Sequence, residues 1–413
     1  MRLRLAAFIS IIQSILFLGH LFIYMTWASF WGGYAASSFA RIALALLSVS
    51  FVTASLLGWY SHNPLVRFYY VFAAAWLGLS GLLLCASVLC WVVWGFSAVL
   101  RLAWSPAIIA DVLNVAAVMA TACAIVNAAW LRTTHITVQL AHLPEHWTRR
   151  TAALVSDTHV GHVRNARFVR RVVRKLAELE PHVVFLAGDL YDGTAADFEK
   201  LAQPWAEFIA SRPGVHRRTA QTQTRTVLHR GDAEARRETR IRSDTAVMEP
   251  GEFLGVYYIL GNHEEFYSHA EYMPPLARAG VRALDNEKVE LDGVQLVGIH
   301  YRDAIDEQHY RHVLRNVRID RHRPSILLLH APVRLHMAEE EGVSLQLSGH
   351  THGGQFFPGT LIAKRVWGRF VHGLERLGNL QVFISYGAGT WGPPMRLGTR
   401  PEIVLITFEP AES

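Results

Sequence analysis

The chain has 413 residues, of which 51% are apolar and only 18% charged, with 12 tryptophans and a formal net charge of +6. That make-up is too greasy for an ordinary soluble protein, and the length allows more than one domain at roughly 100–200 residues each. The three cysteines, Cys85, Cys90 and Cys123, all precede Arg132, which excludes a disulfide-bonded scaffold for the rest of the chain.

The apolar excess lies at the front. No charged residue occurs from Leu5 to Gly32, from Ile42 to Tyr60 or from Phe68 to Leu100, and the run from Ser105 to Leu131 holds one acid, Asp111. A spanning helix needs about 20 mostly apolar residues. Residues 1–132 are therefore expected to form a multi-pass transmembrane module with spans near 5–30, 42–60, 70–98 and 106–131. The first run is too long for a signal-peptide core. Trp27, Trp31, Trp59, Tyr60, Trp91, Trp94 and Trp130 gather toward the ends of the runs, as in the aromatic belts of bilayer interfaces. Asp111, about two turns into its helix, is reachable by water and is read as structural. In a four-span arrangement Arg2, Arg4, Arg67 and Arg132 share one side, and Arg41 and Arg101 the other. The positive-inside bias then places both ends of the module and the following domain in the cytoplasm, with the protein in the cell (inner) membrane.

After Leu131 the pattern changes to short apolar runs ending in polar residues: "AALVSDTH", "HVVFLAGD", "GVYYILGNH", "VQLVGIH", "SILLLHAP", "SLQLSGHTH", "VFISYGAG" and "EIVLITF". Near-continuous apolar runs of this length suit strands buried on both faces. Between the first two, Phe168, Val172, Leu176 and Leu179 recur at helical spacing and Pro181 ends the helix, giving a strand–helix–strand unit. The expected fold is an α/β sandwich over residues 151–413. The helix also carries Arg167, Arg170, Arg171, Arg174 and Lys175, read as a solvated outer face. Residues 214–251 are rich in Arg, Thr and Gln and poor in apolar residues; they read as a disordered Arg-rich insertion. The insertion lacks the interleaved aromatics that nucleic-acid binding would favour.

The polar residues at the strand ends form one set: Asp157 and His159 in "SDTHVG", Asp189 in "GDLYDG", Asn262 and His263 in "GNHE", His330 in "LLLHAP", and His350 and His352 in "GHTHGG". Strand ends are where α/β sheets bind ligands. Carboxylate and imidazole donors suit Mn, Fe or Zn, and there are too many for one ion and enough for two. In extended backbone, residues two apart point to the same side, so the pairs Asp157/His159 and His350/His352 can each face the metals. The glycines around His350 and His352 let backbone and phosphate approach closely. His162, His300, His312 and His372 fall outside the set. Asp192 is read as holding its own loop, and Glu264 and Glu265 as orienting the "GNH" loop.

These five blocks in this order resemble the calcineurin-like metallophosphoesterases, and the ending "YGAGTWGPPMRLGTRPEIVLI" is similar to their bacterial, membrane-tethered branch. Thr158, where a bulkier apolar residue is common, and the insertion are the departures. The resemblance implies an α/β/β/α sandwich and two divalent transition-metal ions. It places Asp157, His159 and His352 on the first ion, Asn262, His330 and His350 on the second, and Asp189 between them. His263 would lie over the phosphate and protonate the leaving oxygen, beside Asn262. The implied activity is hydrolysis of a phosphomonoester or phosphodiester by hydroxide held between the ions, with a membrane lipid among the candidate substrates. The competing reading is a membrane sensor or transport-linked module that binds a phosphate-containing ligand without turnover; the complete ligand set argues against it.

Overall fold

A computed structural model describes residues 2–212 and 252–411; the expected insertion at 214–251 lies outside the described residues. Four helices come first: α1 (Arg2–Phe30), α2 (Ser38–Tyr60), α3 (Pro64–Val99) and α4 (Pro106–Ala129). All four are long and apolar enough to cross a membrane. Their starts follow local chemistry. Ser37 and Asn63 accept from the amides of Ala40 and Val66, and Pro64 and Pro106 sit at the first turn, where no amide is needed. Along α4 the buried residues Ala110, Asn114, Ala117, Thr121, Ala124 and Ala128 form one seam. Small side chains there let helices approach closely where lipid offers no hydrophobic drive. Asp111 accepts from the Trp31 indole at 2.9 Å and Asn114 from the Trp27 indole at 3.0 Å, so both polar groups tie α4 to α1.

The remaining chain forms two six-stranded sheets. The first has the order β1-β12-β2-β3-β4-β5, the second β10-β11-β9-β8-β7-β6. In the first, β2 (Thr151–Val155), β3 (Val183–Ala187), β4 (Val256–Ile259) and β5 (Val281–Ala283) run parallel, flanked by β12 (Glu402–Pro410) and β1 (Arg132–Leu140). In the second, β7 (Val294–Ile299), β8 (Ser325–Leu329), β9 (Leu345–Ser348) and β11 (Leu380–Ile384) run parallel, with β6 (Glu287–Leu291) and β10 (Gly373–Leu377) antiparallel at the edges. Leu154, Phe185, Ile259, Leu296, Leu328, Leu347 and Phe408 fill the space between the sheets. Helices α5 (Ala166–Leu179), α6 (Phe198–Ala210) and α7 (His269–Arg278) cover the outer face of the first sheet. Helices α8 (Glu307–Val317) and α9 (Leu335–Glu340) cover that of the second. This is the expected α/β/β/α sandwich.

The eight expected strands are present. Four others, β1, β5, β6 and β10, lie at or next to sheet edges, where a strand needs less apolar sequence. β1 joins the sandwich directly to the end of α4, so residues 132–140 belong to its first sheet, ahead of the expected start at 151.

The sandwich sits against the membrane helices. His162 packs on Tyr70 with ring centroids 5.0 Å apart, and its Nε2 lies 3.1 Å from the carbonyl of Gly58. Arg164 and Arg171 donate to the carbonyls of Ala128 and Ala129 at 2.8 and 2.9 Å. The reading of the α5 arginines as a purely solvated face is thereby corrected for Arg171. It caps the last carbonyls of α4, where the helix has no partners of its own and favours a cation.

Candidate metal centre

Every strand-end residue singled out above is drawn to one place by the parallel strands, whose C-terminal ends meet across the two sheets. Asp157 and His159 follow β2, Asp189 follows β3, Asn262 and His263 follow β4, His330 follows β8, and His350 and His352 follow β9. The backbone is not extended at the key pairs. Asp157, His159, Asp189, His350 and His352 have φ of 52°, 44°, 51°, 71° and 49°. The extended backbone expected at D-x-H and H-x-H is thus not found, although both members of each pair face the site as expected. Left-handed residues, uncommon for side chains other than glycine, turn these groups inward, and such strain persists where function over-determines it. His350 and His352 consequently face different clusters.

Asp157, His159 and His352 form one cluster, and Asp189, His330 and His350 another; His159, Asp189 and His263 form a third that overlaps the first two. In the first, His159 Nε2 and His352 Nε2 are 2.9 Å apart, and His352 Nε2 is 3.4 Å from Asp157 Oδ1. In the second, His330 Nε2 is 3.2 Å from Asp189 Oδ2, and that same oxygen is 3.7 Å from His159 Nε2. Asp189 therefore faces both clusters. Asn262 Oδ1 stands 2.9 Å from His350 Nδ1. His263 borders the site edge-on to His159, at 4.7 Å between ring centroids.

Two observations test whether cations suit this set. His330 Nδ1 donates to the carbonyl of Ala187 at 2.8 Å, leaving its buried Nε2 aimed at Asp189 Oδ2, 3.2 Å away and outside hydrogen-bond geometry. A histidine held through one ring nitrogen with the other turned to buried acids is the arrangement of a metal ligand. The backbone also packs directly on the two acids: a Cβ on Gly349 would lie 2.1 Å from Asp157 Oδ2, and one on Gly261 2.1 Å from Asp189 Oδ1. The residues fit divalent ions of the Mn, Fe or Zn type.

Electrostatics point the same way. Burial pushes the Asp157 carboxyl up to about 6, although His330 pulls against it. Burial also acts on Asp189, but the charges of His330, His159 and His263 prevail and hold it well below the usual carboxylate range. Burial lowers His350 to about 4 and holds His159 and His352 far below an ordinary imidazole. His330 is the exception: burial opposes its charge, yet Asp189 and Asp157 raise it to about 10. Mostly neutral imidazoles around buried acids make a ligand set ready for cations.

Residues outside this set hold it in place. Glu264, fully buried, accepts from the amides of Asp189, Gly261 and Tyr191 at 3.0, 2.7 and 3.2 Å, so it orients the "GNH" loop as expected. Asp192 accepts from the Thr194 amide at 2.9 Å within its own loop. His300, His312 and His372 are engaged with Glu265, Asn316 and Glu402.

Arg396 had no assigned role and proves central. It is 0% exposed. Its guanidinium donates to His352 Nδ1 at 3.0 Å and to the carbonyls of His352, Tyr386 and Gly389 at 3.2, 2.6 and 2.8 Å. Its amide donates to the carbonyl of Ala124 in α4 at 2.9 Å, while Asn127 of α4 donates to the Arg396 carbonyl at 2.8 Å. One residue thus links a membrane helix to a candidate metal ligand. Its only sequence signal is an arginine inside the glycine- and proline-rich "GPPMRLG".

A domain of this kind, with acids and imidazoles converging at the C-terminal ends of two facing parallel sheets, defines a metal-dependent phosphoesterase class. Residues 151–354 match the calcineurin-like phosphoesterase family. The chain is 29% identical over 291 residues to an uncharacterized metallophosphoesterase of Aquifex aeolicus, covering 68% of this chain and 92% of that protein. It is 26% identical over 260 residues to one from Campylobacter jejuni, covering 62% and 58%. It is 26% identical over 294 residues to a zebrafish (Danio rerio) transmembrane protein with metallophosphoesterase domain, covering 67% and 57%. Residues 151–354 thus form a calcineurin-like phosphoesterase domain. The match takes in under two thirds of the Campylobacter and zebrafish proteins.

Proposed function

We propose that the protein is a membrane-tethered phosphoesterase that uses two divalent metal ions. The observation that carries this reading is the convergence of Asp157, His159, Asp189, His330, His350 and His352 within ligand distance of one another, with Asn262 beside His350. Asp157, His159 and His352 would hold one ion, Asn262, His330 and His350 the other, with Asp189 shared. When bound, such ions draw a nucleophile from water at neutral pH and screen the phosphate's negative charge. The chain itself orients and protonates. The His263 ring is fixed by its Nδ1–H bond to the Asp192 carbonyl at 3.0 Å, which turns Nε2 toward the site. As the bond from phosphorus to the leaving oxygen breaks, a proton on His263 Nε2 passes to that oxygen. The Asn262 amide, at the rim of the second cluster, holds the phosphate beside it.

In this reading the four apolar helices, each long enough to cross a membrane, tether the domain to the cell membrane, and the arginine bias of their ends supports a cytoplasmic side. The substrate is a phosphomonoester or phosphodiester. The deciding experiment assays the purified full chain on nitrophenyl phosphate and bis(nitrophenyl) phosphate, with and without chelator. Turnover of one ester, lost on chelation and restored by Mn, Fe or Zn, is expected. Phosphate binding with no turnover of either ester in metal-replete protein would overturn the reading in favour of a binding module.

A further inference from the structure

Most of the exposed large apolar side chains of the sandwich lie at the rim of the metal centre. Among the described residues beyond 131, the exposed large apolar side chains are Phe266, Ile305, Phe357, Leu361, Ile362, Val366, Leu374 and Trp391. None belongs to the helices covering the sheets, α5 to α9. Six of the eight belong to segments that wall the site, with exposures between 45% (Phe357) and 67% (Val366). Phe266 lies with its ring centroid 5.5 Å from that of His263, and Trp391 6.0 Å from it. Phe357, Leu361, Ile362 and Val366 lie on or just before α10 (Gly359–Trp367). That helix turns Ala363 inward and sets Trp367 edge-on to His350, at 5.7 Å between ring centroids. Its outward side also carries exposed Lys364 and Arg365.

This rim is continuous with the membrane helices. Phe266 packs edge-on to Trp59 at the end of α2, 5.9 Å between ring centroids. Phe356, just before α10, packs with Met395 against residues of α1, α3 and α4, and a Cβ on Gly81 of α3 would lie 3.8 Å from its ring. Met395 and Pro393 in the loop after Trp391 press on Gly78 of α3. From Gly78 to Val99 helix α3 runs 22 residues, about 32 Å at 1.5 Å rise per residue, close to the roughly 30 Å hydrocarbon thickness. The rim therefore meets α3 about one hydrocarbon thickness from that helix's C-terminal end. A short helix with apolar and basic side chains facing outward at that level is the pattern of an interfacial helix.

We propose that α10, with Phe357, Trp391 and Phe266, lies in the headgroup layer of the bilayer that the chain spans, and that the metal centre opens there to take the phosphate ester of a membrane lipid. The lipid stays anchored by its acyl chains while its phosphate reaches His263 and the metal ligands. The proposal rests on the phosphoesterase reading for its substrate, but not for its surface.

The test uses full-length protein in phosphatidylcholine nanodiscs. For the surface, Ile362→Cys, in a chain with Cys85, Cys90 and Cys123 replaced by Ser, carries an environment-sensitive fluorophore, and lipids with a nitroxide near the headgroup are the quencher. Quenching in nanodiscs is expected. Its absence overturns the surface, and protection that depends on protein concentration or on residues 214–251 would assign the face to a second copy or to that segment instead. For the substrate, paired esters of the class that the protein cleaves are compared, one with a hexadecyl tail and one with a methyl group. The tailed ester should be preferred by roughly tenfold or more in kcat/KM. The variant L361S/I362S/V366S should lose that preference while keeping its metals and its rate on the methyl ester. Equal rates for both tails in the native chain overturn the lipid substrate. Failure to cleave either ester overturns the phosphoesterase reading and leaves the quenching result standing by itself.

Discussion

Buried Ser48, Ser50, Ser80 and Thr121 of the membrane helices return their hydroxyls to a carbonyl three or four residues earlier, at 2.7 to 2.9 Å. At the metal centre the buried groups do the reverse. His330 Nε2 has no hydrogen-bond partner, His159 and His352 turn ring nitrogens toward each other at 2.9 Å, and each residue comes from a different strand. A hydroxyl satisfied by its own helix is a local solution that the backbone provides anywhere. A set of donors brought from five loops and left facing one another is stable only with something between them. The contrast separates polar groups that serve the fold from polar groups that serve the chemistry.

The largest expected effect breaks the site at its shared point. Asp189→Ala should lose both ions and lower activity by on the order of 10³-fold or more, because one carboxylate faces both clusters. Elemental analysis alongside steady-state rates checks this, and two retained ions would contradict the bridging role.

His263→Ala is expected to split binding from chemistry. Metal content and Michaelis constant should stay near native while turnover falls by about 10²–10⁴-fold, the usual range for a positioned acid. The loss should shrink for good leaving groups such as nitrophenolate, so the comparison to make is a series of esters with leaving groups of graded acidity. A defect that is the same across the series would rule out proton donation.

Arg396→Lys sharpens the comparison where the two regions meet. The ammonium keeps the charge but cannot serve His352 and the loop carbonyls together. Affinity for the ion of the first cluster should fall by about 10–100-fold, as for outer-shell partners in general, with the helices still inserted. Titration of metal-free protein, monitored by a spectroscopic cobalt signal, would detect it; unchanged affinity would make Arg396 a packing residue only.

Thr121→Ala lies at the other extreme. Its hydroxyl bonds within α4, and a loss of about 0.6 kcal/mol or less is expected, read as a small shift in thermal unfolding of the detergent-solubilised protein with no change in metal content. A large loss would mean that hydroxyls in the module do more than satisfy themselves.

The candidate ligand residues and eight strands were legible because both signals are local. An apolar run ending in Asp, His or Asn is visible without knowing what it will meet. The conformation that aims those residues was not legible, since left-handed φ at His350 and His352 is imposed by the loops and their packing. The edge strands β6 and β10 escaped notice because half-exposed strands need little apolar sequence.

The sequence by itself determined the division of the chain, the order of the strands' chemical groups and the number of apolar helices, because charge-free length and residue type are properties of short stretches. Only the tertiary structure decided the left-handed backbone that aims the candidate ligands, that Arg396 joins α4 to His352, and that the exposed apolar residues of α10 stand beside the metal centre next to the apolar helices. Those facts join residues tens to hundreds of positions apart. Their energies depend on distance and burial in space, which no local pattern records.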